Sequence, residues 1–340
     1  MSDNRAAWLD AVGSSFRVGP ADMPQVGPEE ILVKNSAIAI NPIDWKVRDY
    51  GWLIKNWPAI LGCDVAGIIV AVGSKVQRFK TGDRVIGHAV SLLSQEPKYG
   101  AFQHYVAIES GKAAILPDNL PFEKACVLPL AIDTSATGLF SASSDGYLGL
   151  DWPTLPAKKS DKTVVIYGAS SSVGSLAVQF AAASGAYVIA IASARNFDYC
   201  RSCGADEVFD YKDESVVPNV VKAIQGAPHP HFAGIYDAIS QPESYRITVP
   251  ILEAIGHGNL ATVLPGPEKI PVTSKSSYVE GINTMVHPLW EDYIGSALEQ
   301  GVLKCVPEPY IIGDSLDSVE EGCKLNQQGI SAKKVVITLT

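Results

Sequence analysis

The 340-residue chain is longer than one usual domain of about 100 to 200 residues, so its length predicts two domains. Hydrophobic residues make up 47% and charged residues 19%, which excludes an intrinsically disordered chain. The net charge of −9 argues against nucleic acid or an anionic membrane surface as a partner. Six cysteines are too few for a disulfide scaffold. Residues 1–12 are polar and mixed in charge, so secretion is not expected, and no apolar run approaches the 18 residues of a membrane span. A cytoplasmic protein is therefore expected.

The first 125 residues are predicted to form short β-strands separated by glycine and proline. The predicted strands are Ile31–Lys34, Ser36–Ile40, Asp64–Val72, Arg84–Ile86 and Phe102–Ile108. Turn sequences end or precede them at Asn41-Pro42, Gly73-Ser74 and Gly82-Asp83. Turns at a spacing of roughly ten residues are typical of a partly open β-barrel or a sandwich.

After about residue 125, the pattern changes to helices that alternate with strands. The predicted helices are Cys126–Ser143, Ser171–Ser184, Phe197–Cys203, Ser215–Gln225 and Leu289–Gln300. The predicted strands are Thr163–Tyr167, Tyr187–Ala192, Glu207–Phe209, Gly234–Ile239, Asn259–Leu264 and Val335–Leu339. Strands separated by helices imply right-handed βαβ units and therefore a parallel sheet. From the pattern alone, the last strand could complete either domain.

The sharpest local signal is a glycine-rich turn, Gly-Ala-Ser-Ser-Ser-Val-Gly at residues 168–174, between a strand and a helix. This context is that of a dinucleotide-binding fingerprint, although only two of its three glycines are present. Small residues would let the backbone approach a pyrophosphate, and the positive end of the helix would hold it. The predicted contacts are Gly168, Ser170, Ser171, Ser172 and Val173. The alternative is a tight turn without a ligand.

The end of the second strand of this region indicates which cofactor is bound. An NAD-specific site carries Asp or Glu on the ribose hydroxyls, about 20 residues beyond the first glycines. Here the chain reads Ala-Ser-Ala-Arg-Asn at residues 192–196, with no carboxylate. Ser193 and Arg195 offer hydrogen-bond donors and a positive charge that suit a 2′-phosphate. NADPH is therefore predicted, and a solvated surface position is the alternative for Arg195.

Four motifs occur in the order found in a known family: Asn41–Lys46 (NPIDWK), Leu61–Gly67 (LGCDVAG), Gly82–Val85 (GDRV) and the glycine-rich turn. Nearly end to end, the chain resembles a medium-chain dehydrogenase/reductase without zinc. The resemblance implies an α/β fold with a GroES-like β-barrel domain at residues 1–125 and 290–340. A Rossmann domain with a doubly wound parallel sheet would be inserted between them, at residues 126–289. The last strand would then rejoin the first domain.

Within this family, the chain most resembles fungal trans-acting enoyl reductases, which partner polyketide synthases. The segments that carry this resemblance are Leu148–Lys162, Ile166–Gly174, Arg195–Asp198, Gly204–Tyr211 and Val286–Leu289. The resemblance implies an enoyl thioester, held on the carrier domain of a polyketide synthase, as the substrate. Further cofactor contacts are expected from Asn196, Tyr211, Leu264 and Lys333. Packing at a strand end is the alternative for Tyr211, and a solvated side chain is the alternative for Lys333.

Zinc-bearing relatives hold their catalytic metal with a cysteine, a His-Glu pair and a second cysteine. Motif alignment puts Asn41, Cys63-Asp64 and Asp133 at those positions. Catalytic zinc needs about three suitable N, S or O ligands, and this set with one thiolate matches poorly. Cys200 and Cys203 form a CxxC pair without a second pair, so both are expected to be packing cysteines. No metal is expected.

Because this donor set does not suit zinc, hydride transfer to carbon is favoured over alcohol oxidation. Hydride addition to the β-carbon of an unsaturated thioester produces an enolate, which needs a hydrogen-bond donor and a proton source. By resemblance, Lys46 and Thr137 are the catalytic candidates; the alternatives are a surface lysine and a hydroxyl bonded to its own helix. Asn283 and His287 are candidates for the substrate pocket, and a helix-start turn is the alternative for His287.

The sequence thus predicts an NADPH-dependent enoyl reductase that acts in trans with a polyketide synthase. One alternative is a free-standing quinone or alkenal reductase of the same family. Another is a family member that binds NADPH without turnover. The length and branching of the substrate, the proton donor, the partner synthase and the choice between monomer and homodimer stay open at this point.

Overall fold

The computed structural model describes residues 4–339, which form two compact units. A β-rich unit comprises residues 4–130 and 287–339, and a second unit comprises residues 131–286. The chain therefore leaves the first unit, builds the second and then returns. The boundaries expected from the sequence, after residues 125 and 289, lie a few residues from these.

Strands and helices follow one another along the chain in both units. The strands are β1 (Arg5–Leu9), β2 (Arg17–Pro20), β3 (Glu30–Ala39), β4 (Ala59–Ile60), β5 (Asp64–Val72), β6 (Arg84–His88), β7 (Tyr105–Glu109), β8 (Ala113–Ile115), β9 (Lys162–Tyr167), β10 (Tyr187–Ala192), β11 (Glu207–Asp210), β12 (His231–Asp237), β13 (Asn259–Thr262), β14 (Ser276–Tyr278), β15 (Glu308–Gly313) and β16 (Lys333–Thr338). The α-helices are α1 (Pro42–Tyr50), α2 (Ser91–Ser94), α3 (Phe122–Ala125), α4 (Pro129–Phe140), α5 (Ser172–Ala183), α6 (Phe197–Ser202), α7 (Val216–Gly226), α8 (Pro242–Ile255), α9 (His287–Leu289), α10 (Gly295–Glu299) and α11 (Val319–Gln328). A π-helical turn at Trp290–Ile294 joins α9 to α10.

In the β-rich unit, β3 is the central strand of a seven-stranded sheet. It pairs with β5 along one edge, while β7 and β16 share its other edge. The strand order is β15-β16-β3-β5-β6-β8, and β2-β1-β4 form a separate sheet. The two strands predicted at residues 31–34 and 36–40 are therefore one strand, with bulges that keep it paired to β5. The last strand of the chain joins this unit, as the family resemblance implied.

The second unit contains a six-stranded sheet in which every pairing is parallel. Its order, β11-β10-β9-β12-β13-β14, is that of a doubly wound dinucleotide-binding sheet. Val165, Ile189 and Ile235 of the central strands are fully buried and pack in one cluster with residues of α7 and α8. The predicted α/β fold, with a β-rich domain and a doubly wound parallel sheet, is confirmed.

Two helices that the sequence did not predict begin with a proline. In α1, the Asp44 carboxylate accepts the Asn41 backbone N–H at 2.7 Å, which closes the first turn. Pro42 at the first helical position loses no hydrogen bond, because that N–H would have no partner inside the helix. The helix α8 begins in the same way at Pro242 and also contains Pro250. Because proline usually ends a helix, this segment was not predicted to be helical.

Several predicted elements differ in length from those observed. The helix expected at residues 126–143 spans only Pro129–Phe140, and the strand expected at 102–108 begins at Tyr105. The sequence also did not predict the helices α2, α3 and α11 or the short strands β1, β2, β4, β8, β14 and β15. No helix among residues 4–339 is both long enough and apolar enough to cross a membrane.

Candidate active site

The glycine-rich turn lies at the carboxyl end of β9, beside the point where the doubly wound sheet changes direction. Gly168 has a left-handed backbone, with φ at 72°, and a Cβ atom there would lie 2.5 Å from Ile239 Cγ1. Gly174 lies in the first turn of α5, where a Cβ atom would come within 2.2 Å of the Gly168 carbonyl oxygen. Both positions therefore require glycine, one for its backbone conformation and one for close packing.

Hydrogen bonds fix this turn and the start of α5. The Ser171 Oγ accepts the Gly174 backbone N–H at 3.0 Å and thus caps the helix. The backbone N–H groups of Gly168 and Ala169 donate to the Ile191 carbonyl oxygen at 3.0 and 3.2 Å, which ties the turn to β10. The positive end of α5 and its first-turn N–H groups favour an anion. The residues of the turn fit the pyrophosphate of a dinucleotide.

The residues predicted to meet the ribose follow β10. Asn196 Nδ2 donates to Ser170 Oγ at 2.9 Å, so the structure brings these two predicted cofactor residues together. Ser193 is half-buried and Arg195 is exposed on a 3-10 turn beside them. The strand end therefore presents a cation next to the glycine-rich turn and no carboxylate between residues 192 and 196.

The neighbouring strand, β11, ends beside β10 and carries a second cation. The Tyr211 ring centroid lies 6.5 Å from that of Tyr167, and Lys212 Nζ lies 5.8 Å from the Tyr211 ring centroid. Since β10 and β11 are paired up to Ala192 and Asp210, their following residues share one edge of the sheet. Tyr211 was predicted from the sequence and Lys212 was not, although this lysine directly follows Tyr211.

A buried carboxylate organises the loops after β12 and β13. Asp237 accepts the backbone N–H groups of Ile239 and Ser240 at 3.0 and 2.8 Å and the Ser244 hydroxyl at 2.5 Å. Burial raises the pKa of Asp237, and these hydrogen bonds oppose the rise. The Ser240 Oγ also accepts the Val263 backbone N–H at 2.9 Å, next to the half-buried Leu264. This network was not predicted from the sequence, and it fixes both loops at the carboxyl edge of the sheet.

Two predicted site residues of the second unit are bonded to each other. Asn283 Nδ2 donates to Thr137 Oγ1 at 2.9 Å and to the Glu280 carbonyl oxygen at 2.8 Å. The Thr137 hydroxyl donates to the Asp133 carbonyl oxygen, one turn earlier in α4, at 2.8 Å. Thr137 is buried. The hydroxyl proton of Thr137 is therefore engaged by the backbone of α4. The Asn283 amide, which donates to the same oxygen, fixes the orientation of the hydroxyl.

Lys46 lies on α1 in the β-rich unit, near two indole rings. Its Nζ is 5.6 Å from the Trp45 ring centroid and 5.1 Å from the Trp52 ring centroid. The side chain is half-buried, and this burial lowers its pKa. Within residues 4–339, no carboxylate pairs with Lys46. Its charge is therefore available to an anion.

The remaining predicted residues lie elsewhere in the β-rich unit. His287 begins α9, where its Nε2 lies 3.9 Å from Glu109 Oε2. Lys333 is exposed on β16, and its Nζ lies 5.5 Å from the Tyr310 ring centroid. The lysine of β16 that is buried is the next residue, Lys334. Asn283 and His287, expected to line one pocket, belong to different units.

The positions of the metal ligands in zinc-bearing relatives hold other groups in this chain. Asp64 Oδ2 accepts a hydrogen bond from Asn41 Nδ2 at 2.8 Å and is paired with Lys334 Nζ at 3.0 Å. Burial raises the pKa of the neighbouring Asp44 to about 7. Asp133 belongs to the other unit. This donor set does not fit zinc, because an ammonium and an amide N–H already occupy the carboxylate.

Comparisons with known proteins agree with this architecture. Residues 27–118 match the family model of the alcohol dehydrogenase GroES-like domain, and residues 172–299 match that of the zinc-binding dehydrogenase. The chain is 43% identical to the dehydrogenase orsE of Emericella nidulans over 100% of both chains. It is 37% identical to the trans-enoyl reductase himH of Aspergillus japonicus, over 99% of this chain and 98% of that one. Escherichia coli quinone oxidoreductase, solved with NADPH, has the same fold, with a TM-score of 0.73 at 21% identity over 98% of this chain and 99% of that one.

Proposed function

This chain belongs to the medium-chain dehydrogenase/reductase family, and on that basis we propose that it is an NADPH-dependent enoyl reductase. Family membership makes it an oxidoreductase with a nicotinamide cofactor. The proposed substrate is an α,β-unsaturated thioester of the polyketide type. The observation that carries the proposal is the Lys46 ammonium, which is half-buried and has no carboxylate partner among residues 4–339.

The choice of NADPH over NADH rests on the strand ends of β10 and β11. A 2′-phosphate needs positive charge and hydrogen-bond donors, whereas ribose hydroxyls are usually met by a carboxylate. Arg195 and Lys212 supply two cations at neighbouring strand ends, and Ser193 adds a hydroxyl. These side chains support recognition of the 2′-phosphate.

The proposed chemistry divides between the cofactor and the chain. The nicotinamide, when bound, supplies the hydride that adds to the β-carbon of the substrate. Negative charge then develops on the thioester oxygen, and the Lys46 ammonium stabilises this oxygen as the enolate forms. The α-carbon takes its proton afterwards. Thr137 is not assigned as the proton donor, because its hydroxyl donates to the Asp133 carbonyl oxygen.

Action on a substrate held by a separate enzyme is supported by a relative named trans-enoyl reductase, at 37% identity over nearly the whole chain. We extend this to the carrier domain of a polyketide synthase. The charge of −9 leaves nucleic acid disfavoured as a partner. A cytoplasmic location and the choice between monomer and homodimer stay predictions.

The test compares substrates and cofactors with one purified protein. NADPH oxidation is measured with a 2-enoyl thioester of N-acetylcysteamine and with a quinone, and both assays are repeated with NADH. We expect turnover of the enoyl thioester with NADPH. Preferred turnover of the quinone would instead identify a quinone reductase, and NADPH binding without any turnover would identify a non-catalytic member.

The role of Lys46 is tested with Lys46→Gln and a matched control, Lys55→Gln, which changes an exposed lysine that follows α1 in the sequence. Glutamine removes the ammonium charge and has a shorter side chain, and loss of one such donor to a developing oxyanion lowers kcat by about 100-fold or more. We expect this loss for Lys46→Gln and wild-type kcat for Lys55→Gln. Equal rates for both variants would remove Lys46 from the mechanism.

A further inference from the structure

A buried polar cluster in the β-rich unit joins three distant segments of the chain. Asn41 precedes α1, Asp64 begins β5, and Lys334 is the second residue of β16. Their exposures are 1%, 0% and 3%. Buried charges are costly unless they are paired and hydrogen-bonded, so a cluster of this kind indicates a specific role.

The three side chains form a closed triangle of contacts. Lys334 Nζ donates to Asn41 Oδ1 at 2.6 Å and lies 3.0 Å from Asp64 Oδ2. Asn41 Nδ2 donates to the same Asp64 oxygen at 2.8 Å. The other oxygen, Asp64 Oδ1, accepts the Leu130 backbone N–H at 2.7 Å. Both oxygens of the buried carboxylate are therefore engaged, and its charge is balanced by an ammonium of the chain itself.

We infer that Lys334 is a fixed internal cation. It lies next to the positions where zinc-bearing relatives carry metal ligands. We also infer that Lys334 positions α1. A divalent cation brought to Asp64 would meet the Lys334 ammonium at hydrogen-bond distance and would be repelled. The family model named for zinc matches residues 172–299, outside this cluster, and within the cluster the carboxylate that a metal would need is already paired with a lysine.

The link from Lys334 to α1 runs through Asn41. The Asn41 side chain is held at its oxygen by Lys334 and at its nitrogen by Asp64. Its backbone N–H donates to Asp44 Oδ2 at 2.7 Å, and its carbonyl oxygen accepts the Asp44 N–H at 3.0 Å. The first turn of α1 is thereby anchored, and Lys46 lies on the same helix. Lys334 is thus a positioning residue for Lys46; this part of the inference rests on the proposed function.

The first experiment measures unfolding in urea for Lys334→Met and for a matched control, Lys333→Met, which changes the exposed lysine next to it. Removing only the cation leaves Asp64 buried and uncompensated, so we expect a clear fall in the urea midpoint for Lys334→Met. The midpoint should be largely recovered when Asp64→Asn is added, and unchanged in Lys333→Met. Equal midpoints for the two single variants, or no recovery on adding Asp64→Asn, would overturn the inference.

The second experiment does not depend on any variant folding. The wild-type protein is dialysed against Zn²⁺, and the bound metal is quantified per chain. We expect no stoichiometric zinc and no rise in Tm on adding Zn²⁺. One tightly bound zinc per chain, whose removal by a chelator lowers Tm, would show that the cluster is a metal site and overturn the inference.

The third measurement concerns positioning, and it uses the Lys334→Met/Asp64→Asn double variant. A purely structural role predicts that kcat recovers together with the urea midpoint. A positioning role predicts that the kcat of the double variant stays several-fold below that of the wild type, with an unchanged KM for NADPH. The reason is that Asn41 still lacks its hydrogen bond from Lys334. Wild-type kcat in the double variant would overturn the positioning role. If the wild-type protein reduces no enoyl thioester, the proposed function fails, while the urea and zinc experiments still decide on the internal cation.

Discussion

Replacing Gly174 by alanine perturbs the dinucleotide turn at one defined contact. The added Cβ would lie 2.2 Å from the Gly168 carbonyl oxygen and 3.0 Å from Ala169 Cα. Real Cβ atoms do not come closer than 3.0 Å, so the oxygen and the helix must separate by a further 0.8 Å, the difference between 3.0 and 2.2 Å. Both neighbours are backbone, and neither can turn aside as a flexible side chain would.

Two effects of opposite sign contribute to the stability of this variant. Forcing a methyl group into a packed contact costs about 1 to 3 kcal/mol. Alanine in place of glycine inside a helix stabilises the folded protein by about 0.5 to 1 kcal/mol. We therefore expect the free energy of unfolding to fall by up to about 2.5 kcal/mol. A lost or lengthened bond to a charged phosphate costs about 1.5 to 3 kcal/mol, which raises the Kd of NADPH by about 10- to 100-fold.

The assay pairs urea unfolding with calorimetric titration of NADPH. Gly226→Ala is the matched control, because Gly226 ends α7 and a Cβ atom there meets nothing within 4 Å. The control should keep the wild-type Kd and lose no stability. Wild-type NADPH binding by Gly174→Ala, together with the same urea unfolding as Gly226→Ala, would show that this contact does not constrain the turn.

Three further predictions concern other parts of the molecule. Arg195→Ala should raise the Kd of NADPH by about tenfold or more and leave that of NADH unchanged; equal changes for both cofactors would show that Arg195 does not contact the 2′-phosphate. Burial lowers the pKa of Lys46 below its ordinary value of 10.5. Since the protonated form of Lys46 is the active one, kcat/KM should fall as the pH rises through this lowered pKa. That alkaline fall should be missing in Lys46→Gln, and its persistence would assign it to another group. Phe180→Ala should lower the free energy of unfolding by about 3 to 5 kcal/mol in urea, because the ring is fully buried; a loss under about 1 kcal/mol would contradict this packing.

The elements predicted most closely are those whose signals are local in sequence. The strand β9, the turn at Gly168 and the helix α5 follow one another directly, and β-branched runs, small residues and an apolar helix face indicate each in turn. The helix α1 was missed although it carries Lys46. Proline both begins and interrupts helices, and only the hydrogen bond from Asn41 to Asp44 decides which applies at Pro42.

The features that could not be predicted from the sequence depend on strand register and on contacts between residues far apart in the chain. Lys333 and Lys334 are adjacent lysines, and which of them is buried depends on how β16 pairs with β3. The bond between Thr137 and Asn283 joins residues that are 146 positions apart. Neither pattern nor spacing predicts such a contact, although each residue was named separately as a candidate.

The pairing of β16 with β3 also determines the order in which the protein can fold during its synthesis. Residues 131–286 are continuous in sequence, so this unit can complete its sheet before translation ends. The β-rich unit cannot do so, because the edge of β3 at residues 37–39 receives its partner only when residues 336–338 leave the ribosome. Until then, the nascent chain carries an unpaired strand edge and a carboxylate, Asp64, that lacks its lysine. The unit whose synthesis begins first is therefore the one that finishes folding last.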